Sequence, residues 1–283
     1  MNPVIGLQLY SVKNNLQKDY VGTLEKIAQI GYRNLELITT ITPDGLVFGQ
    51  DMRASDLRQH LERLGLRAIG CHYIPLPDMR LEPVLADLQI LGVDSFVCAA
   101  SLTKDLDELI AFNTAFNRIG ETCKEHGVQL YYHNHFQEFQ VFGEKSVFEL
   151  MIEQLDKDLV MFEFDTYWAV RGGQDPIYWL KKLGKRCDLL HQKDLPGTVD
   201  PVNVFEKLGY DSPITFESFA AIQDVDNFAE VGEGKLNIPG IIAAARTYNH
   251  ARYIIVEQDM TRRPELESIA VSYSNLSHLL AEK

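Results

Sequence analysis

Val128-Gln129-Leu130-Tyr131-Tyr132-His133-Asn134-His135-Phe136-Gln137-Glu138-Phe139 changes character part-way along. Its first half is β-branched and aromatic and follows Gly127, so it reads as a strand entered from the end of a helix. Side chains on a strand alternate between faces, which points His133 and His135 one way and Asn134 the other. Two imidazoles at a strand's end, with the Glu138 carboxylate three residues on, suit a metal or a proton relay. A hydrogen-bonded core histidine beside a loop glutamate is the plainer alternative.

The same passage from helix to glycine to strand recurs outward from this stretch. Val21, Leu24, Ile27 and Ile30 run at helical spacing to Gly31, and an apolar strand follows over 32–38. Leu57, Leu61 and Leu64 lead to Gly65 and a strand over 66–72. Val84, Leu85, Leu88 and Leu91 lead to Gly92 and a strand over 93–99. Leu109, Phe112, Phe116, Ile119 and Cys123 lead to Gly127. These glycines are spaced by about 30 residues, the length of one βα unit. Further strands are predicted over 4–9, 159–164, 188–190 and 253–256, and helices over 145–155, 176–183, 238–248 and 264–280. Within the long connection 195–234, Ile214-Thr215-Phe216-Glu217-Ser218-Phe219 reads as an extra strand or a lid.

Eight strands, each followed by helical sequence, predict an α/β chain folded as a (β/α)8 TIM barrel. An open doubly wound sheet would carry a glycine-rich phosphate turn after its first strand, and Gly6-Leu7-Gln8-Leu9 is not one. No linker or low-complexity segment divides the chain, so residues 1–283 are expected to form a single domain.

The chain is 46% hydrophobic with a net charge of −13. The acidic balance argues against nucleic acid, whose phosphates need basic surface. No stretch approaches the ~20 apolar residues of a membrane span. Residues 1–10 lack the basic start and apolar run of a signal peptide. Four cysteines without a CxxC pair, of which Cys71 and Cys98 fall in predicted strands, read as reduced thiols of a cytoplasmic protein. The expected partner is a small molecule, with no nucleic acid and no membrane, and homo-oligomerisation is compatible with the sequence.

In a TIM barrel the chemistry sits at the C-terminal ends of the strands. Those ends carry Gln8 and Tyr10, Glu36, His72, Cys98, His133 and His135 with Glu138, Asp165, His191 with Lys193, and Glu257 with Asp259. Asp165, His191 and Glu257, joined by Glu138 or His133, would make a site of three carboxylates and one imidazole, or two and two. An oxygen-rich set with one histidine favours Mn2+, with Mg2+ or Co2+ next, over structural zinc. Against this, Asp165 and Glu257 could simply cap the helices after their strands.

The sequence resembles the xylose isomerase-like TIM barrels, the sugar phosphate isomerase/epimerase-type proteins that also include endonuclease IV. The resemblance covers essentially the whole chain. It is most specific at His133-Asn134-His135-Phe136-Gln137-Glu138-Phe139, Phe162-Glu163-Phe164-Asp165-Thr166-Tyr167-Trp168, His191-Gln192-Lys193-Asp194, Val231-Gly232-Glu233-Gly234 and Val256-Glu257-Gln258-Asp259. It implies one divalent metal held by Glu, Asp, His and Glu from the fifth to eighth strands, the last three matching Asp165, His191 and Glu257. Many members have Glu-Asn-His where this chain has His133-Asn134-His135. Either His133 takes over, or Glu138 reaches back; Glu138 is preferred because it keeps the charge of the pattern. The expected metal set is therefore Glu138, Asp165, His191 and Glu257, holding Mn2+ first, with Mg2+, Co2+ or Zn2+ as alternatives. The HNHxxEF form resembles members associated with oxidised (3-keto) sugars and glycosides.

A metal so held stabilises the enediolate formed when a carbon beside a sugar carbonyl loses its proton. The expected function is thus a metal-dependent sugar isomerase or epimerase. Lyase or dehydratase chemistry on 3-keto-glycosides is the alternative, and a non-catalytic sugar-binding barrel is a further one. Glu257 with His133 or Glu138 would move the proton, and Lys193 would steady the oxyanion. His135, Glu36 and His72 would hold hydroxyls, and Trp168 would stack on a pyranose face. Each has a competitor: Trp168 as packing, Glu36 paired with a cation, Lys193 bound to Asp194 or Asp165, and His72 as a satisfied buried imidazole. A nuclease, the other activity within the resemblance, is disfavoured by the acidic charge.

Overall fold

The computed structural model describes residues 2–75, 79–210 and 213–281. Eight parallel strands close into a barrel in which each is hydrogen-bonded to its neighbours in chain order. They are β1 (Val4–Gln8), β2 (Asn34–Ile38), β3 (Arg67–Tyr73), β4 (Ser95–Cys98), β5 (Gln129–His133), β6 (Val160–Asp165), β7 (Leu189–Gln192) and β8 (Tyr253–Val256). The outward faces of these strands join the surrounding helices in one large apolar layer. Inside the barrel a small separate core of Ile69, Val97, Tyr131, Leu189, Tyr253 and Ile255 plugs the lumen. Strand alternation then decides what sits above that plug. Two residues past Tyr131, Leu189 and Ile255, the inward positions are His133, His191 and Glu257.

One strand departs from simple alternation. Between β2 and β3 the register slips: Leu35 pairs with Ala68, but Glu36 pairs with Gly70. The extra residue, Ile69, reverses the parity of β3 beyond it. Ile69 belongs to the lumen plug and Cys71 to the outer layer, whereas His72 turns back into the barrel.

The helix-ending glycines behave as the sequence predicts. Gly65 and Gly92 take left-handed backbone conformations (φ 64° and 70°) at the ends of Ala54–Leu64 and Leu81–Leu91, a geometry that glycine adopts without steric cost. Ser146 and Glu149 form a capping box at the start of Val147–Gln154. Of the strand and the lid expected over 214–219, the strand is overturned: the stretch forms a short helix, Phe216–Ala221, capped by Thr215 and Ser218. Its β-branched and aromatic start outweighed that capping signal. The helix predicted over 238–248 is α-helical only over Ile238–Ala244 and then widens to a π turn. An antiparallel three-stranded sheet over Thr40–Thr42, Gly45–Phe48 and Met52–Arg53 was not expected.

The long connection after β7 is tied down by Asp194. Its Oδ2 accepts from the amides of Gly232 and Gly234, each at 3.0 Å. Its Oδ1 accepts from Leu195 at 2.8 Å and Leu236 at 3.1 Å. A Cβ at Gly234 would lie 2.6 Å from the Leu195 carbonyl oxygen, so the turn closes only on glycine. Cys71, Cys98, Cys123 and Cys187 are all buried and unpaired. Among the described residues no helix is long and apolar enough to cross a membrane.

Candidate metal centre and active site

The ends of four consecutive strands, β5 to β8, meet at the C-terminal mouth. His133, Asp165, His191 and Glu257 each offer a ligand atom, all within 4.8 Å of one another. Asp165 is fully buried, and register places it directly beside His191. Its backbone is fixed by Asn134, whose Oδ1 accepts from the Asp165 amide at 3.0 Å and whose Nδ2 donates to its carbonyl at 3.2 Å. The outward-turned residue between the two histidines thus staples β5 to β6. Asp165 Oδ1 also accepts from the Trp168 amide at 2.8 Å, so it caps Thr166–Arg171 while its Oδ2 faces the site.

From the fifth strand it is His133 that joins this group. Glu138 is buried but turned away: Oε1 accepts from the Tyr132 hydroxyl at 2.6 Å and Oε2 from the His135 amide at 2.9 Å. With both oxygens committed to the loop that follows β5, Glu138 lies outside the group whose ligand atoms converge, and His133 supplies the atom from β5. Lys193 is wholly buried and donates to Asp165 Oδ2 at 2.5 Å and to Glu257 Oε2. Asp194, its other expected partner, is engaged in the clamp.

Two expected substrate contacts are not at the mouth. Glu36 lies beneath it at 0% exposure, bonded to Gln8 at 2.8 Å and His191 at 2.6 Å. Trp168, 1% exposed, is packed among His135, Phe136, Phe219 and Phe228. Trp168 takes the packing role foreseen as its competitor, and Glu36 pairs with His72 and His191. His72 and His135 do face the open cavity of about 490 Å3, as do His133, Glu257 and Asp259. Its outer wall is apolar, with Ile74, Leu102, Phe216 and Met260 among its exposed residues. Glu163 was missed by the sequence reading. It touches His72 at 2.6 Å and His191 at 3.1 Å, and the signal was its place two residues before Asp165 on the same face.

Burial opposes charge throughout, so each charged group here is held by its neighbours. Against its burial, Lys193 is kept an ammonium by Asp165, Asp259 and Glu257, which push its pKa well above the ordinary value. Lys193 and His191 in turn hold Glu257 well below the carboxylate range despite burial. Burial penalises charge on His72, yet Glu36 and Glu163 raise it to about 9. Burial and the neighbouring His191 and His135 depress His133 far below the usual imidazole value, leaving it neutral with a lone pair to give. His133 Nδ1, Glu36 Oε1 and Glu163 Oε1 are buried without hydrogen-bond partners. A neutral imidazole, a second imidazole and two carboxylates converging amid surplus buried carboxylates fit a divalent cation.

An eight-stranded barrel with a polar cluster at the ends of its later strands defines the class of α/β barrels that carry their chemistry at that mouth. A family profile described as "Xylose isomerase-like TIM barrel" matches residues 24–274. The chain belongs to the xylose isomerase-like TIM barrel family. An inosose dehydratase of Mesomycoplasma hyopneumoniae is 33% identical over 192 residues, covering 67% of this chain and 59% of that one. The chain spans between 48% and 59% of the length of the curated relatives first matched. A sugar phosphate isomerase/epimerase from Parabacteroides distasonis is 26% identical with a TM-score of 0.77, covering 100% of this chain and 95% of that one. A zinc-bound structure of the IolI protein shares the fold at a TM-score of 0.68 and 12% identity, over 100% and 99% of the two chains.

Proposed function

We propose that this protein is a divalent-metal-dependent enzyme that removes a proton next to the carbonyl of a keto-sugar or related cyclic polyol, acting as an isomerase or epimerase. The observation that carries this reading is the convergence of His133, Asp165, His191 and Glu257 at the floor of an open cavity, with a buried lysine beside them. When bound, the cation supplies stabilisation of the negative charge that develops on the carbonyl oxygen. The mixed nitrogen and oxygen donors suit Mn2+, Co2+ or Zn2+ better than Mg2+, and Mn2+ remains the first choice. Lys193, held as an ammonium between two carboxylates, adds a fixed positive charge at the same point. His135 lines the cavity, and its Nδ1 is buried without a hydrogen-bond partner. It is placed to carry the proton once His133 is engaged in the ligand set and Glu138 is turned away.

Dehydration is the second reading. It is supported by the inosose dehydratase relatives and by Asp259, a cavity carboxylate 3.7 Å from Lys193 that could hand a proton to a leaving hydroxyl. The apolar outer wall gives room for a substituent beyond a single sugar ring, as a keto-glycoside would carry. Incubation with Mn2+ and a panel of keto-sugars and inososes in D2O tests both readings. Isomerisation or epimerisation washes in deuterium beside the carbonyl with no loss of oxygen, whereas dehydration gives a product lighter by one water. Neither change across the panel, from protein carrying its metal, would sink the proposal.

A further inference from the structure

Beneath the four-residue group lies a second polar layer that the proposed chemistry leaves unused. Glu163 shares the face of Asp165 one step deeper in the barrel. The bulge in β3 brings His72 to the same depth, and β2 supplies Glu36. Both carboxylates are at 0% exposure. Gly70 leaves room for one of them, because a Cβ there would lie 2.7 Å from Glu36 Oε1.

His191 spans the two layers. Its Nδ1 is 2.9 Å from Glu257 Oε2 above, and its Nε2 is 2.6 Å from Glu36 Oε2 and 3.1 Å from Glu163 Oε2 below. His133 is turned likewise, with Nε2 3.9 Å from Asp165 Oδ2 above and Nδ1 3.3 Å from Glu163 Oε2 below. His72 Nε2 closes the lower layer at 2.6 Å from Glu163 and 3.0 Å from Glu36. A neutral imidazole has one N–H and one lone pair, so whatever holds one nitrogen decides what the other offers.

We infer that Glu36 and Glu163 are positioning residues: they face the lower Nε2–H of His191 and so leave that ring's Nδ1 turned upward to a divalent cation. The inference rests on the metal-dependent reading above. Carboxylates behind metal-bound histidines are typically worth about 10–100-fold in metal affinity. The lower layer has a rival use. His72, His133, Glu163 and His191 also bring ligand atoms within 4.8 Å, close enough for a second ion that Glu163 would bind directly.

Counting ions separates the two. The protein and its Glu163→Gln and Glu36→Gln variants are titrated with Mn2+ alone, the free ion being followed by electron paramagnetic resonance. One ion per chain is expected in all three, with Kd raised about 10–100-fold in the variants. Two ions in the parent with one lost in Glu163→Gln would overturn the inference, as would an unchanged Kd in both variants. The 15N ring resonances of the metal-free parent need no variant. They are expected to report a proton on His191 Nε2, and a bare Nε2 facing Glu36 would also overturn it. A protein that shows the expected Nε2 proton but binds no Mn2+ would sink the metal-dependent reading while leaving the hydrogen-bond assignment standing.

Discussion

The Tyr132 hydroxyl donates to Glu138 Oε1 at 2.6 Å, and this bond turns the Glu138 carboxylate away from the metal group. His133→Ala is therefore expected to lower metal occupancy, measured by elemental analysis, whereas Glu138→Gln keeps it. A metal-free Glu138→Gln with metal retained in His133→Ala would reverse the assignment.

Glu138 also makes stability depend on pH. Burial, outweighing the Tyr132 and His135 hydrogen bonds, raises its pKa from 4.5 to about 7. The folded chain thus holds a proton that the unfolded chain releases earlier. The group's contribution is full below pH 4.5 and is lost as the pH climbs through 7. Urea unfolding at several pH values should show Glu138→Gln gaining on the parent between pH 5 and 8; a constant difference would contradict this.

Asp165→Ala and His191→Ala each delete a donor from the group and are expected to abolish both metal binding and deuterium wash-in. Either variant retaining full metal content and rate would remove its residue from the ligand set.

Lys193→Ala takes away the ammonium between Asp165 and Glu257. Turnover should fall by about 10²–10³-fold, as when one stabilising donor is removed. Metal affinity should not fall, because two carboxylates are freed. A variant that turns over normally would assign Lys193 to structure alone.

Metal itself should stabilise the fold. At a free concentration a hundred times its Kd, a single ion adds about 2.7 kcal/mol, visible as a higher Tm that chelation reverses. No shift with Mn2+, Co2+ or Zn2+ would leave the cluster without a cation to hold.

The strands and the glycine-terminated helices were legible because a covered parallel sheet demands near-continuous apolar strands, and those runs stand out. Asp165, His191 and Glu257 were legible from their place at strand ends. Glu138 was preferred on charge alone, while its hydrogen-bond partners depend on how the loop after β5 folds back. Glu36 was placed at the mouth because sequence gives its position along β2 but not its depth below the rim, and Trp168 because sequence does not show which way a side chain of the helix Thr166–Arg171 turns. His72 turns inward only through the bulge at Ile69, which no local pattern announces.

Asp194 makes its four backbone contacts three residues after a metal-group histidine and one after the buried lysine. Whatever the chain does between Leu195 and Val231, it must come home to the same carboxylate. Evolution can therefore lengthen, shorten or rewrite that excursion, and with it one wall of the substrate chamber, while the reactive centre stays in register. New specificities are reachable here by changing the scenery without moving the stage.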